Sequence, residues 1–206
     1  MYNFIYEKVN TIEEVEKLLN ESEETKILAG GQTLIPTMKQ RLASPSTLVD
    51  ICGIDQLNFI NDNGNSLIIG STTTHNTVSS SDIVINKIPS LALLAEGIGD
   101  PHVRNMGTIG GSIANNDPTA DYPTACLSLN AKIKTNKREI NAKDFFIGLF
   151  ETALEENEIV VSIEFNIPKK SSYMKFPNPA SRYAMAGVYV SVFDDSVNVA
   201  VTGASE

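Results

Sequence analysis

Two short segments of the sequence combine glycines with hydroxyl and amide residues in a way that suits phosphate binding. The first contains Gly30 and Gly31, followed by Gln32 and Thr33, directly after an apolar stretch. Because glycine has no Cβ atom, its backbone can adopt a positive φ and approach a ligand closely. Successive N–H groups at such a bend form a concave surface that binds anions. Taken alone, however, this segment is better explained as a tight strand-to-helix turn with nothing bound.

The second segment repeats the design, with Gly110 and Gly111 flanked by Thr108 and Ser112. A diphosphate carries two phosphates and many acceptor oxygens, so two glycine bends that converge on it make physical sense. Neither segment matches the GxGxxG or GxxxxGK[ST] patterns. The sequence therefore does not support an ordinary Rossmann or P-loop site.

The remaining candidate residues each have two interpretations. The carboxylate of Asp121 could accept hydrogen bonds from polyol hydroxyls, as acidic residues do in dinucleotide sites. It could equally be the N-cap of a helix over 122–129. His75 is more simply explained as a surface or capping residue than as a catalytic one. Lys175 and Arg182 could present positive charge to a ligand or belong to a solvated surface.

The composition excludes several classes of function. The 206 residues include 16 Lys or Arg and 25 Asp or Glu, and the net charge is -9. Without a basic stripe, no nucleic-acid partner is expected. No apolar run reaches the roughly 18–20 residues of a membrane span, and the N-terminal segment lacks a signal-peptide pattern, so a cytoplasmic location is expected. Two cysteines, Cys52 and Cys126, cannot supply an all-cysteine cluster, and no metal site is expected.

The pattern of elements divides the chain into three units. Residues 1–52 are predicted to form a small α/β unit, in which a capping box at 11–14 opens a helix. Strands are expected at 25–29 and 47–51 in this unit.

The second unit covers residues 53–170, with strands predicted at 66–70 and 158–165. Between them, residues 99–123 are rich in Gly, Asn, Asp and Pro and are predicted to be a long irregular loop. Loops of that length are usually functional.

A third unit follows a predicted linker at 169–172 and covers residues 173–206. Strands at about 187–193 and 197–202 are expected to form a hairpin. Two strands are too few for an independent domain, so this unit is either truncated or packs on the rest of the chain.

Taken together, these segments resemble the FAD-binding medium subunit of the molybdenum hydroxylases, the family of xanthine dehydrogenase and aerobic carbon monoxide dehydrogenase. Four pieces carry the resemblance in the correct order and spacing. They are AGGQTLIP at 29–36, RNMGTIGGS at 104–112, DPTADYP at 117–123 and KFPNPASRYAM at 175–185. The resemblance covers essentially the whole chain.

The resemblance implies a fold and a set of cofactor contacts. The implied fold is α+β, with a two-subdomain, vanillyl-alcohol-oxidase-like (PCMH-type) FAD-binding region and an incomplete C-terminal α/β domain. Asp121 would bind ribityl or ribose hydroxyls, Ile98 and Val160 would contact the FAD rings, and Lys175 would approach the flavin. The residues implied to hold the diphosphate and adjoining groups are Ala29, Gly30, Gly31, Gln32, Thr33, Leu34, Thr108, Ile109, Gly110, Gly111 and Ser112.

The resemblance also implies a function. The chain would be an electron-transferring oxidoreductase subunit that passes electrons from the [2Fe–2S] clusters of a small partner subunit through FAD to an external acceptor. A large molybdenum-cofactor subunit would oxidise the substrate, so no catalytic acid, base or nucleophile is expected here. Gln32 cannot form a histidyl–flavin bond, which implies noncovalent FAD. The alternatives are a self-sufficient flavin oxidoreductase of the same fold and a flavin-free scaffold subunit.

Overall fold

The computed structural model of the chain describes residues 1–204. These residues contain thirteen β-strands and nine α-helices. The strands are β1 (Ile5–Lys8), β2 (Thr25–Leu28), β3 (Thr47–Asp50), β4 (Ile60–Asp62), β5 (Ser66–Gly70), β6 (Lys132–Thr135), β7 (Glu139–Asn141), β8 (Phe146–Gly148), β9 (Glu151–Thr152), β10 (Val160–Asn166), β11 (Lys170–Pro177), β12 (Ala184–Val192) and β13 (Val197–Thr202). The helices are α1 (Ile12–Glu21), α2 (Leu34–Lys39), α3 (His75–Ser80), α4 (Asp82–Lys87), α5 (Pro89–Glu96), α6 (Pro101–Met106), α7 (Ile109–Asn115), α8 (Tyr122–Ser128) and α9 (Ala142–Phe145).

The first sheet is parallel and has the order β1-β3-β2. Helix α1 connects its outer strands and begins where the capping box predicts, with the Thr11 side chain accepting a hydrogen bond from the Glu14 backbone N–H at 3.2 Å. Val15 and Leu19, one turn apart, are buried against this sheet's own apolar cluster. Strand β2 of this sheet leads directly into the first glycine segment.

The second sheet is antiparallel, with β10 at its centre in the order β4-β5-β10-β6-β7. Strands β5 and β10 contribute fully buried side chains such as Leu67 and Ile163, and helices α5 and α7 contribute Leu91 and Ile113 to the same cluster. The helices therefore pack on this sheet, and the predicted α+β class is confirmed.

The predicted loop over 99–123 is wrong, because most of it is helical. It contains α6, α7 and the first residues of α8. The residue types that suggested a loop act as helix ends: the Asp100 side chain accepts from the Val103 N–H at 2.9 Å, and Asn116 ends α7 in the left-handed conformation. Helices of six or seven residues have few interior positions, so their capping residues dominate the local composition.

The third sheet contains the predicted hairpin of β12 and β13, with β11 added on the other side of β12. Most of the predicted linker at 169–172 is therefore strand, since Lys170 already pairs with Val192. An edge strand tolerates such polar residues because one of its sides faces solvent. Tyr173 and Tyr189 of this sheet are buried in the same apolar cluster as the second sheet, so the third sheet packs on the rest of the chain.

None of the helices within residues 1–204 has both the length and the apolar character that a membrane crossing requires.

Candidate functional site

Both glycine segments face one cleft of about 830 Å³. This volume lies in the range of small-molecule and cofactor sites. Thirteen of the fifteen residues proposed from the sequence line the cleft: Ala29, Gly30, Gly31, Gln32, Thr33, Leu34, Ile98, Thr108, Gly110, Gly111, Ser112, Asp121 and Val160. The tertiary structure thus brings together residues from the bend after β2, from α7 and from β10 that are far apart in the sequence.

The first glycine bend, residues 29–34, presents unsatisfied donors to the cleft. Within residues 1–204, the backbone N–H groups of Gly31, Gln32, Thr33 and Leu34 donate no hydrogen bond. Thr33 precedes α2 but provides no side-chain cap. Gly31 has φ +68°, a conformation that favours glycine. Four consecutive free N–H groups are an arrangement typical of anion-binding bends.

Gly30 has a different role in the same bend. A Cβ atom placed on Gly30 would lie 2.6 Å from the Cα of Gly107 and still closer to the carbonyl oxygen of Met106. The absence of a side chain at Gly30 therefore lets the first bend contact the backbone that leads into the second.

The second glycine bend, residues 107–112, uses its N–H groups internally. Gly110 N–H donates to the Ser71 carbonyl oxygen at 2.8 Å, and Gly111 N–H donates to Thr108 Oγ1 at 3.1 Å. A Cβ atom on Gly110 would lie 2.6 Å from the same Ser71 oxygen, so this glycine packs against another strand end. The nearest neighbours of a Cβ atom on Gly111 would be Thr108 Oγ1 at 3.0 Å and the Ala29 Cβ at 3.9 Å, which places Gly111 opposite the first bend.

Two of the fifteen residues do not line the cleft. Ile109 is fully buried in the apolar core, and its N–H donates to the Thr73 carbonyl oxygen at 3.0 Å. Lys175 lies behind the cleft wall, where its ammonium contacts Asp121. The reason for Ile109 is helical geometry, since Ile109 and Ile113 lie one turn apart on the face of α7 that packs in the apolar core, whereas Gly111 lies on the exposed face.

The Asp121 side chain does not act as a helix cap, and its ligand-binding interpretation stays a prediction. Asp121 precedes α8 but makes no side-chain cap hydrogen bond. Its carboxylate accepts from the Tyr173 hydroxyl and lies 3.1 Å from the Lys175 ammonium. Burial raises the pKa of Asp121 above its usual value, while the Lys175 charge and the Tyr173 hydrogen bond oppose that rise.

Two buried polar atoms on the cleft lining have no partner in the described part of the chain. They are Ser71 Oγ and His75 Nδ1. His75 was expected at the surface or in a cap, but its ring is buried beside Tyr122, with 5.4 Å between ring centroids. Burial, reinforced by the charge of Arg104, lowers the pKa of His75 to about 4, so the imidazole is neutral at physiological pH. Buried polar atoms normally have hydrogen-bond partners, and these two can interact with a bound group.

One wall of the cleft is braced by a buried carboxylate that the sequence analysis missed. Glu158 lines the cleft and accepts two hydrogen bonds from Arg138, both at 3.0 Å, and one from Thr135 at 2.7 Å. Burial tends to raise its pKa, but the hydrogen bonds from Arg138, the Glu155 N–H and Thr135 outweigh burial and lower it to about 2. This ion pair fixes the segment that carries Ile159 and Val160 into the cleft.

The loop after α5 is held by two cations. Arg104 Nη1 donates to the carbonyl oxygens of Ile98 and Gly99, each at 3.2 Å. Lys175 Nζ donates to the carbonyl oxygen of Gly97 at 2.8 Å. These contacts fix Ile98 at the cleft.

Tyr173, whose hydroxyl contacts Asp121, was not predicted as a site residue from the sequence. The available signal was its position two residues before Lys175, since alternate residues of a strand share one face. Glu158 gave no comparable signal, because its partner Arg138 comes from a different hairpin.

Comparisons with known proteins identify the family of this chain. The family model described as FAD binding domain in molybdopterin dehydrogenase matches residues 2–170. The glyceraldehyde dehydrogenase medium chain of Sulfolobus acidocaldarius is 38% identical over 195 residues, covering 92% of this chain and 69% of that relative. The carbon monoxide dehydrogenase medium chain of Hydrogenophaga pseudoflava is 37% identical over 197 residues, covering 91% of this chain and 68% of that relative.

Solved structures give the same result. A chain of carbon monoxide dehydrogenase from Hydrogenophaga pseudoflava matches with a TM-score of 0.92 and 35% identity, over 98% of this chain and 75% of that chain. A chain of quinoline 2-oxidoreductase from Pseudomonas putida 86 matches with a TM-score of 0.94 and 27% identity, over 100% of this chain and 75% of that chain.

The chain therefore belongs to the family of FAD-binding domains of molybdopterin dehydrogenases. Within that family it is an FAD-binding medium subunit of the molybdenum hydroxylase type, an oxidoreductase subunit, as the resemblance implied.

Proposed function

We propose that the cleft holds FAD noncovalently and that the first glycine bend binds its diphosphate. The observation that carries this proposal is the row of free N–H groups from Gly31 to Leu34, all on residues that line the cleft. A row of backbone donors without acceptors suits the many oxygens of a diphosphate. The second bend contributes space rather than donors, because Gly111 leaves room opposite Ala29.

The other cleft residues divide into polar and apolar contacts. Asp121 would accept hydrogen bonds from ribityl or ribose hydroxyls, and Ser112 adds a hydroxyl to the same lining. Ile98 and Val160 offer apolar surface for the rings. Gln32, whose Nε2 donates to the Gly30 carbonyl oxygen at 3.1 Å, has no nucleophilic atom for a covalent flavin bond.

We further propose that residues 1–52 and 53–170 act as the two subdomains of a vanillyl-alcohol-oxidase-like fold that clasp FAD between them. Residues from 173 onward would begin a further domain. Support comes from the cleft itself, whose lining includes the first bend from one range and the second bend, Asp121 and Val160 from the other.

In the complex, the chain would pass electrons from the [2Fe–2S] clusters of a small subunit to an external acceptor, while a large molybdenum-cofactor subunit oxidises the substrate. Bound FAD would supply the ability to accept electrons singly and release them in pairs. The protein's share is binding, orientation and electrostatics. Several relatives are medium chains or subunits by name, which supports a multi-subunit assembly. The predicted cytoplasmic location stays a prediction.

The test is reconstitution of the FAD-free chain with FAD, followed by flavin absorbance and fluorescence. We expect saturation at about one FAD per chain, and full release of FAD into the supernatant after acid precipitation. Flavin that stays with the precipitate would overturn noncovalent binding. Failure to bind FAD at all would overturn the proposed site and favour a scaffold. Bleaching of the bound flavin by an organic substrate without partner subunits would instead favour a self-sufficient oxidoreductase.

A further inference from the structure

Two side chains of β11 in the third sheet contact a residue of the cleft lining. Tyr173 and Lys175 are two residues apart on the strand and therefore share one face. Both contact the carboxylate of Asp121, which lines the cleft. Neither of them lines the cleft, so they act on it through Asp121.

The Lys175 ammonium is buried and fully engaged. Its side chain is 9% exposed, and that of Asp121 is 5% exposed. Nζ lies 3.1 Å from each carboxylate oxygen of Asp121 and donates to the Gly97 carbonyl oxygen at 2.8 Å. The same cation thus fixes the carboxylate and the loop that places Ile98 in the cleft.

Tyr173 adds a directional contact on the same carboxylate. Its hydroxyl donates to Asp121 Oδ1, and its ring packs against Tyr189 with 5.8 Å between centroids. On the neighbouring strand, a Cβ atom on Gly187 would lie 2.8 Å from the Tyr173 hydroxyl. Gly187 therefore leaves the space that lets the hydroxyl reach Asp121.

The surroundings of Asp121 contain one compensating charge. Besides Tyr173 and Lys175 on β11, its titratable neighbours are Tyr122 on α8 and Tyr183 in the turn before β12. The phenols of all three tyrosines are neutral at physiological pH, because burial raises each pKa and the Asp121 charge adds to the rise. Among the described residues that influence Asp121, Lys175 is the cation that offsets its charge.

We infer that Tyr173 and Lys175 are positioning residues of the FAD site, which keep Asp121 as an oriented carboxylate ready to accept hydrogen bonds from the cofactor's hydroxyls. This inference rests on the proposed function, in which Asp121 contacts those hydroxyls. It assigns the third sheet a part in cofactor binding, although that sheet does not hold the diphosphate.

Without Lys175, folding stability and FAD affinity should change with pH in opposite directions. Burial then raises the pKa of Asp121 without the opposing charge. Because the native carboxyl would bind its proton more tightly than the unfolded one, stability is full below the unfolded pKa and declines as pH rises through the raised folded pKa. FAD affinity should increase as pH rises, because the ionised carboxylate is the better hydrogen-bond acceptor and forms as pH rises. A purely structural role would lower stability and affinity together.

The experiment measures the Kd for FAD of the full chain from about pH 5.5 to about pH 8. For the wild type we expect little change across this range. For Lys175→Met we expect about tenfold weaker binding at the acid end, with partial recovery toward the alkaline end. Lys175→Arg should keep the flat profile, because the cation is retained. Tyr173→Phe should weaken binding about three- to tenfold by removing one hydrogen bond.

Two controls complete the test. Lys169→Met removes an exposed lysine that pairs with Asp194 next to the same sheet, and it should leave both affinity and pH profile unchanged. Asp121→Asn combined with Lys175→Met removes the titrating group, so the pH dependence should disappear. If Lys175→Met does not fold, Lys175→Arg and Tyr173→Phe still decide the question.

The outcomes are distinct. Wild-type affinity in Lys175→Met, or weaker binding with a flat pH profile, overturns the positioning role and leaves the FAD site standing. Absence of FAD binding by the wild type overturns the proposed site itself.

Discussion

The two glycine bends share a sequence pattern but differ in what their backbone donors do. In the first bend, the N–H groups from Gly31 to Leu34 are free within residues 1–204. In the second bend, the N–H groups of Gly110 and Gly111 are occupied by Ser71 and Thr108. A glycine pair between polar residues therefore predicts a bend, but it does not decide whether the bend binds a ligand or braces the fold.

Within each pair, the two glycines also differ in the atoms that surround them. Gly30 and Gly110 lie against other backbone segments, where a Cβ atom would collide with main-chain atoms. All four glycines line the cleft, but the nearest neighbours of a Cβ atom on Gly31 or Gly111 would be side-chain atoms. Each pair thus contains one packing glycine, which lies against main-chain atoms, and one cleft glycine, which lies against side chains, and mutagenesis can test this distinction.

The largest expected effect is on folding, at the packing glycine of the first bend. Gly30→Ala would place a Cβ atom 2.6 Å from Gly107 Cα, and backbone cannot rotate away as a flexible side chain can. We expect the free energy of unfolding to fall by about 3 kcal/mol, measured by urea denaturation. Gly111→Ala is the matched control and should stay within about 1 kcal/mol of the wild type, since it lies in a helix that favours alanine. Equal midpoints for the two variants would contradict the division between packing and cleft glycines.

The next effect is on binding, at the cleft glycine of the second bend. Gly111→Leu would project a side chain toward Ala29, into the space between the bends. We expect the Kd for FAD to rise about 100-fold, or about 2.7 kcal/mol, with a native-like unfolding transition. Fluorescence titration measures the Kd, and Gly111→Ala should show a much smaller change. An unchanged Kd in Gly111→Leu would mean that the diphosphate does not pass between the two bends.

A smaller, mixed effect is expected at the cleft glycine of the first bend. Gly31→Ala forces a residue with a Cβ atom into φ +68°, which destabilises the fold by about 1–2 kcal/mol. Relief of this strain would rotate the free N–H groups, so we expect about tenfold weaker FAD binding as well. Denaturation and titration on the same preparation separate the two effects. Lost stability with unchanged affinity would indicate that these donors do not hold the cofactor.

The smallest effects are expected at two threonines, of which one precedes α2 and the other precedes α7. Thr108 accepts the Gly111 N–H as an N-cap, whereas Thr33 makes no cap hydrogen bond. Thr108→Val should therefore lower stability by about 1 kcal/mol. Thr33→Val should leave stability unchanged and weaken FAD binding about threefold. The reverse pattern would exchange the roles assigned to the two bends.

Much of the local structure followed from the sequence. The capping box at Thr11, strand β5 and the β12–β13 hairpin were all predicted, because helix caps and apolar alternation act over a few residues. The helices α6 and α7 were missed for a related reason. Their Asp, Asn, Gly and Pro residues serve equally well in loops and at helix ends, and only the backbone path distinguishes the two uses.

The sequence predicted most of the proposed residues of the candidate site, but not the polar contacts that hold them. Eleven of the thirteen predicted residues that line the cleft lie in the four motifs, and the other two, Ile98 and Val160, were implied by the family resemblance. The motifs did not identify Tyr173 or Glu158, whose partners Asp121 and Arg138 lie on other elements. Such long-range polar contacts depend on how sheets and helices pack together, and no short sequence window contains both partners.

The sequence by itself determined where the two glycine bends lie, which residues follow each bend, and to which family the chain belongs. The tertiary structure decided which N–H groups remain free and whether the Asp121 carboxylate caps its helix or contacts Tyr173 and Lys175. The physical reason is that a backbone N–H is satisfied by whichever acceptor packing brings within reach. Gly110 receives that acceptor from Ser71, whereas the first bend receives none from the described chain.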